Sequence, residues 1–306
     1  MTNIKKVGFI GIGRMGYPMA GHLAKAGFEL IVADTSRELV DRFVTEHGAS
    51  APKTLAELAQ AADVVITMLP TSKIVRSVIL GDGKGNCVAA GLEKGKIVID
   101  SSTSDPVDTR ALGAELAKRG IDMLDAPVAG GVVFATDGSL DITVGGDAAL
   151  VETCRPLFDA IGKSLFHCGP LASGHAMKAL NNYVNASALI TAIEALSIGA
   201  KFGLDMKTMI ESMTAAATGR NNPIEKKVIP QVLTRKFGTG MALSLLAKDT
   251  RIMVDIAKAI GGYAPVAERC SALWSEAAET FGADLDQTYV AKLWEENNNV
   301  LLELKS

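Results

Sequence analysis

The chain has 306 residues, room for two domains at roughly 150 residues each and enough to bury its own cores without disulfide or metal staples. Lys plus Arg number 31 against 34 Asp plus Glu, a net charge of −3, which excludes a general binder of nucleic acid or of anionic membrane. Four cysteines, Cys87, Cys154, Cys168 and Cys270, form no C-x-x-C pair, so they read as buried free thiols in a reducing compartment and not as a zinc or redox framework.

The opening Met1–Lys6 leads straight into Val7-Gly8-Phe9-Ile10, an apolar run too short and too soon broken by glycine and Arg14 for a signal peptide. In the first half, strands are predicted at Val7–Ile10, Glu29–Ala33, Val64–Leu69, Ile97–Ile99, Met123–Leu124, Ile142–Val144 and Phe166–His167. Helical spacing lies between most of them, as in Met15–Ala26, Arg37–Thr45, Thr54–Ala61 and Pro106–Arg119. Strands alternating with helices imply crossover connections and a mostly parallel sheet. Unbroken apolar strands such as Val64–Leu69 suit a sheet covered on both faces.

After Gly169-Pro170 the strand signals end. Helices are predicted at Ser173–Phe202, Asp205–Ala216, Asn222–Leu233, Ala242–Ile260, Ala264–Thr280 and Val290–Leu304, in segments rich in alanine. The longest apolar stretch, Val184–Leu204, carries Asn185, Thr191, Glu194 and Lys201 and reads as a buried helix, not a membrane span. The expected division is residues 1–165 and 166–306. A soluble, cytoplasmic α/β protein is expected.

Gly11-Ile12-Gly13-Arg14-Met15-Gly16 is a G-x-G-x-x-G turn, and its context is informative: it follows a predicted strand and opens a predicted helix. Gly11 permits the tight turn, Gly13 lets backbone approach a pyrophosphate, and Gly16 lets helix and strand pack closely. The helix N-terminus offers free N–H groups to phosphates. Asp34 ends the next strand, 18 residues after Gly16, where an acid accepts hydrogen bonds from adenosine ribose hydroxyls and repels a 2′-phosphate. NAD is therefore preferred to NADP, although Arg37 nearby weakens that preference. Met68-Leu69-Pro70-Thr71 and Asp100-Ser101-Ser102-Thr103 follow predicted strand ends, where ligands bind in such sheets. Met68, Leu69, Pro70 and Thr103 are thus candidate cofactor contacts.

The sequence resembles the β-hydroxyacid dehydrogenase family over essentially its whole length. Gly8–Gly16 looks like that family's opening signature, and Asp125-Ala126-Pro127-Val128-Ala129-Gly130-Gly131 like its substrate-binding motif. Gly174-His175-Ala176-Met177-Lys178-Ala179-Leu180-Asn181-Asn182 looks like its catalytic helix, and Leu246-Ala247-Lys248-Asp249 resembles a later segment whose lysine approaches the cofactor. The resemblance implies an N-terminal Rossmann-type doubly wound sheet plus a C-terminal all-α domain joined by a long helix, with the active site in the cleft between them. It also implies hydride transfer between nicotinamide and a small 3-hydroxy acid or its semialdehyde. Gly11, Gly13, Arg14, Met15, Gly16 and Lys248 would hold the cofactor, and the Gly130 and Gly131 N–H groups the substrate carboxylate.

Lys178 and Asn182, four residues apart, share one helical face with Gly174, which leaves room for a substrate. Lys178 is the candidate general acid–base, and burial in an apolar cleft would lower its pKa from the usual ~10.4 toward neutrality. Asn182 offers a donor and an acceptor. Three positions depart from the family's usual residues. Ala129 stands where a serine donor is common, Phe134 where many members have glycine, and Ala172 replaces an upstream glycine. These changes bear on the substrate and on the grip at Ala129, Gly130 and Gly131. Arg220 is a compensating candidate for an acidic group. His175 either tunes Lys178 electrostatically or is a surface or packing residue. His22, His47 and His167 lie at no metal-ligand spacing, and no G-x-S-x-G elbow competes.

The expectation is an NAD-dependent 3-hydroxyacid dehydrogenase, assembled as a homodimer or homotetramer. Its rivals are an imine reductase-like enzyme, whose relatives usually replace the lysine, and a catalytically idle NAD(H)-binding regulatory protein.

Overall fold

A computed structural model describes residues 4–81, 86–216, 223–259 and 261–303. The chain divides into two compact units, Met1–Lys178 and Ala179–Ser306.

The first unit holds an eight-stranded sheet. Its elements are β1 (Lys6–Ile10), α1 (Gly16–Lys25), β2 (Glu29–Ala33), α2 (Arg37–His47), α3 (Leu55–Ala61), β3 (Val64–Thr67), α4 (Ser72–Leu80) and β4 (Ile97–Asp100). There follow α5 (Pro106–Ala117), β5 (Asp122–Asp125), β6 (Val128–Ala129), α6 (Gly131–Asp137), β7 (Leu140–Gly145), α7 (Ala148–Ile161) and β8 (Gly162–Gly169). The order is β2-β1-β3-β4-β5-β7-β6, with β8 on β7. Strands β1 to β5 run parallel, and β7 is antiparallel to β5 and β6 but parallel to β8. Residue 165 lies inside β8. Elements α4, α6, α7 and the two-residue β6 add to those predicted.

Successive strand residues point to opposite faces, and both faces carry a core. Val7, Phe9, Val64, Ile66, Ile97 and Ile99 join one cluster, while Ile10, Val65 and Val98 join the other. Gly8 faces α3, where a Cβ would lie 2.5 Å from Leu58 Cδ2, so glycine lets that helix sit against β1. Most helix starts are chemically marked. Thr54 and Glu57 form a capping box on α3, Asp105 with Pro106 opens α5, and Asp147 accepts from Ala149 N and Leu150 N at α7.

Helix α8 (Ser173–Phe202) begins in the first unit and ends in the second. The second unit continues with α9 (Met206–Ala216), a π-helical segment (Ile224–Val232), α10 (Leu243–Ala259), α11 (Pro265–Phe281), a 3-10 turn (Gln287–Val290) and α12 (Ala291–Asn298). The α-helix expected near Asn222–Leu233 is a π-helix over its described part, and Pro230 within it lacks the N–H that an α-helical ladder needs. The helix expected to reach Leu304 stops at Asn298, because Asn299 takes a left-handed conformation (φ 52°). Leu189, Ile193, Leu196, Val228, Leu243, Leu246, Trp274 and Trp294 build this unit's core. Among the described residues, no helix is long and apolar enough to cross a membrane.

Candidate active site

The glycine turn sits at the carboxyl end of β1. Gly11 has φ +93°, and a side chain there would collide with Met68 O. A Cβ on Gly16 would run into Gly11 O. Both are glycines for internal reasons. Gly13 differs: a Cβ there meets nothing within 4 Å, so no neighbouring protein atom demands glycine. What a Cβ would obstruct is the approach of a ligand from outside. Helix α1 opens beside it with Met15 at its N-cap and no side-chain capping hydrogen bond. Tyr17 N is taken by Gly13 O (2.9 Å) and Pro18 has no N–H, so an anion here would be met by the backbone of the glycine turn and by the positive end of the helix. Arg14 is exposed, and Met15 and Gly16 follow into the helix. These residues fit a dinucleotide pyrophosphate.

Asp34, one residue past β2, is fixed from both sides. Its Oδ2 accepts from Ile12 N (2.8 Å) and its Oδ1 from Ser36 N (2.9 Å). The carboxylate is therefore held against the glycine turn. Arg37, expected to weaken the preference for NAD, pairs with Asp41 at 2.9 Å along α2. Met68 continues β3 through a bond from its N to Ile10 O (2.9 Å), Leu69 N donates to Ser102 Oγ (2.9 Å), and Pro70 is exposed. Thr103 is half-buried in the loop after β4.

Two buried carboxylates end neighbouring strands. Asp100 accepts from Thr67 Oγ1 (2.9 Å), Ser102 N (3.0 Å) and Ser104 Oγ (2.7 Å), and so organises its own loop. Asp125 accepts from Ala172 N (2.6 Å) and His175 N (2.7 Å), and so caps α8 from outside that helix. Burial pushes the Asp125 carboxyl above its ordinary value, while His175 and the two backbone donors pull the other way. His175 is fully buried and not on the helix surface. Ala172 has φ 79°, the left-handed region, which accounts for glycine as the commoner residue there.

Gly174 is a glycine for another reason than the one expected. Its Cβ would lie 2.6 Å from Thr143 O and 2.8 Å from Asp125 O, so close packing of α8 on β5 and β7 excludes a side chain. Lys178 follows one turn later and is half-buried. Ala129 ends β6, and Gly130 (φ 120°) and Gly131 (φ 71°) turn the chain into α6. Phe134 bears on Gly130: a Cβ on that glycine would lie 2.6 Å from Phe134 Cβ.

In the second unit Asn182 Nδ2 donates to Asp249 Oδ2 (2.8 Å), and Asp249 Oδ1 lies 3.2 Å from Lys248 Nζ. A carboxylate accepts only, so this contact fixes which end of the Asn182 amide faces it. The catalytic-helix motif and the lysine-bearing segment thereby meet at a buried aspartate. Lys248 borders a groove of about 420 Å³ between α10 and α11, walled also by Ser244, Arg251, Ser275 and Glu279. Arg220 lies outside the described residues.

Asp100, Asp125, Thr109 and Asp249 had drawn no role from sequence reasoning. The available signal was a carboxylate closing an apolar strand, as in Ile97-Val98-Ile99-Asp100 and Met123-Leu124-Asp125. A charge there needs partners, and only the fold supplies them.

A doubly wound sheet with a ligand-ready glycine turn, followed by an all-helical unit, defines a dinucleotide-binding protein. The NAD binding domain of 6-phosphogluconate dehydrogenase matches residues 6–169, and the NAD-binding domain of NADP-dependent 3-hydroxyisobutyrate dehydrogenase matches residues 172–294. An NAD-dependent L-serine dehydrogenase of Pseudomonas aeruginosa is 36% identical over 95% of this chain and 98% of its own. A Mycobacterium tuberculosis 3-hydroxyisobutyrate dehydrogenase solved with L-serine superposes with TM-score 0.84 at 31% identity, covering 95% of this chain and 99% of that one. Psf3 in complex with NADP+ and 2-OPP reaches TM-score 0.78 at 27% identity, covering 94% and 99%. The chain belongs to the β-hydroxyacid dehydrogenase family, oxidoreductases of small 3-hydroxy acids.

Proposed function

We propose that the chain is an NAD-dependent dehydrogenase of a small 3-hydroxy acid in which Lys178 is the general acid–base. The observation that carries the cofactor preference is Asp34. Its carboxylate is locked onto Ile12 N and Ser36 N, and Arg37, three residues on, pairs with Asp41. A fixed negative charge at the end of β2 accepts ribose hydroxyls and repels a 2′-phosphate. The NAD-dependence of the Pseudomonas relative agrees.

The nicotinamide, when bound, supplies the acceptor or donor for the carbon-bound hydrogen. Lys178 takes the substrate hydroxyl proton in oxidation and returns it to the carbonyl oxygen in reduction. Asn182, oriented by Asp249, holds the substrate oxygen. Gly130 and Gly131 give backbone N–H groups to the substrate carboxylate, with no hydroxyl from Ala129, and Arg220 adds a cation. L-Serine leads the candidate substrates, on the names of two similar proteins. The assembly is a homodimer or homotetramer, in the cytoplasm.

The test is initial rates of NADH formation over a panel of L-serine, 3-hydroxyisobutyrate, 3-hydroxypropionate, glycerate and threonate, with NADP+ in parallel. Saturable turnover of one acid with NAD+ is expected, rising with pH to a plateau. Lys178→Ala should lose at least a hundredfold in kcat, within the 10²–10⁴-fold typical of a general acid–base, while still binding NADH. Turnover with NADP+ alone overturns the role of Asp34. An active Lys178→Ala overturns the role of the lysine.

A further inference from the structure

We infer that His175 is a positioning residue: it locks the first turn of the lysine-bearing helix to the two loops that border the proposed cofactor site. The inference rests on the general acid–base reading of Lys178. His175 is 1% exposed, so its ring touches no substrate. Its Nε2 lies 3.0 Å from Ser102 O, and because a carbonyl only accepts, Nε2 is the donor. Its Nδ1 lies 2.8 Å from Oγ1 of Thr109 on α5, and the single proton of that hydroxyl is shared between this nitrogen and Asp105 O at 2.9 Å. Its backbone N–H is held by Asp125. One residue therefore joins β5, α5, α8 and the loop after β4.

The chain of contacts continues past His175. Ser102 Oγ accepts from Leu69 N, which ties in the loop after β3, and Ser102 N is held by Asp100. Both loops stand at the carboxyl ends of parallel strands, where doubly wound sheets bind their ligands. The contacts share the positional control of α8. Asp125 grips the N–H groups of residues 172 and 175, and the ring adds a second hold on the same turn through Ser102 O. Lys178 is three residues on, so a rotation of this turn swings its ammonium sideways from the reacting oxygen. A misplacement of about 1 Å costs on the order of a hundredfold in rate. Packing alone would call for an apolar residue in so buried a position. A histidine with both ring nitrogens engaged supplies direction instead.

The experiment measures kcat, KM, NADH affinity and Tm for His175→Leu, His175→Gln and Thr109→Val, beside Lys178→Ala. His175→Leu fills a similar volume without polar contacts, and its kcat should fall about a hundredfold with KM and NADH affinity within about threefold. His175→Gln keeps a donor that reaches Ser102 O and should recover kcat to within about fivefold of the parent, with a Tm no higher than that of His175→Leu. Should His175→Leu not fold, Thr109→Val decides: the ring loses one anchor, and kcat falls at least about fivefold at unchanged KM. Near-parental kcat in His175→Leu or Thr109→Val, or kcat tracking Tm across the set, overturns the inference and leaves a packing role. If Lys178→Ala is inactive and the His175 and Thr109 variants are not impaired, only this inference fails. If Lys178→Ala is active, the acid–base reading fails whatever His175 does.

Discussion

Ala172 shows how one backbone angle bears on stability. At φ 79° an alanine keeps its Cβ close to the following carbonyl, at a cost of roughly 1–2 kcal/mol that glycine avoids. The position holds because Ala172 N donates to Asp125 Oδ1. Ala172→Gly should therefore raise the unfolding free energy by about 1 kcal/mol in urea titration, despite the greater entropy of glycine in the unfolded chain. A loss of stability would mean that strain is not what the position costs. The glycine turn separates binding from folding in the same way. Gly13→Ala faces open space at an unexceptional φ, so Tm should stay within about 2 °C, while NADH affinity falls at least about tenfold, equivalent to roughly 1.4 kcal/mol. Gly16→Ala, whose Cβ would meet the backbone of Gly11, should instead destabilise the fold by about 1–3 kcal/mol.

At the scale of elements, local signals and long-range contacts divide the work. The starts of α3 and α5 were legible because their caps lie within a few residues of the helix, whereas α7 was not predicted although Asp147 caps it locally. The start of α8 at Ser173 was legible too, but what caps it was not, because the cap is Asp125, 47 residues before Ala172. A similar carboxylate staples the second unit. Burial pushes the Asp286 carboxyl up, but bonds from Thr288 Oγ1 and N, Thr239 Oγ1 and Gly240 N outweigh it and hold the carboxyl below its ordinary value. A carboxyl whose folded pKa is depressed stabilises the fold above its unfolded pKa of about 3.9, and that contribution is lost as pH falls through the folded pKa. The Tm advantage of the parent over Asp286→Asn should accordingly be full at pH 6 and shrink below about pH 4. An advantage independent of pH would assign the effect to shape and not to charge.

For the whole molecule, the exposed apolar residues of α8 carry a prediction about assembly. Met177, Leu180 and Val184 are spaced at helical intervals and are 44%, 41% and 63% exposed in the single chain. Apolar side chains repeated on one face of a long helix suit burial against a second copy. Val184→Asp should shift the mass measured by light scattering from an oligomer to a monomer, with helical content retained. A monomeric parent protein would remove the proposed assembly.

Most of the sheet and the identity of its glycine turn could be read from the chain alone, because strand periodicity, caps and the G-x-G-x-x-G spacing are properties of neighbours in sequence. That Lys178 and Asn182 lie on one helix was legible for the same reason. What the tertiary structure decided is the service each polar residue performs. Gly174 looked like space for a substrate and proved to be space for the carbonyls of Thr143 and Asp125. Arg37 looked like a cation that weakens the preference for NAD and proved to be paired with Asp41. His175 looked like a residue on a helix and proved to be a buried tie between strand-end loops. A hydrogen bond has a direction and a length of about 3 Å, and no pattern of residue types along a chain specifies which carbonyl, 73 residues away, will stand at that distance from a ring nitrogen.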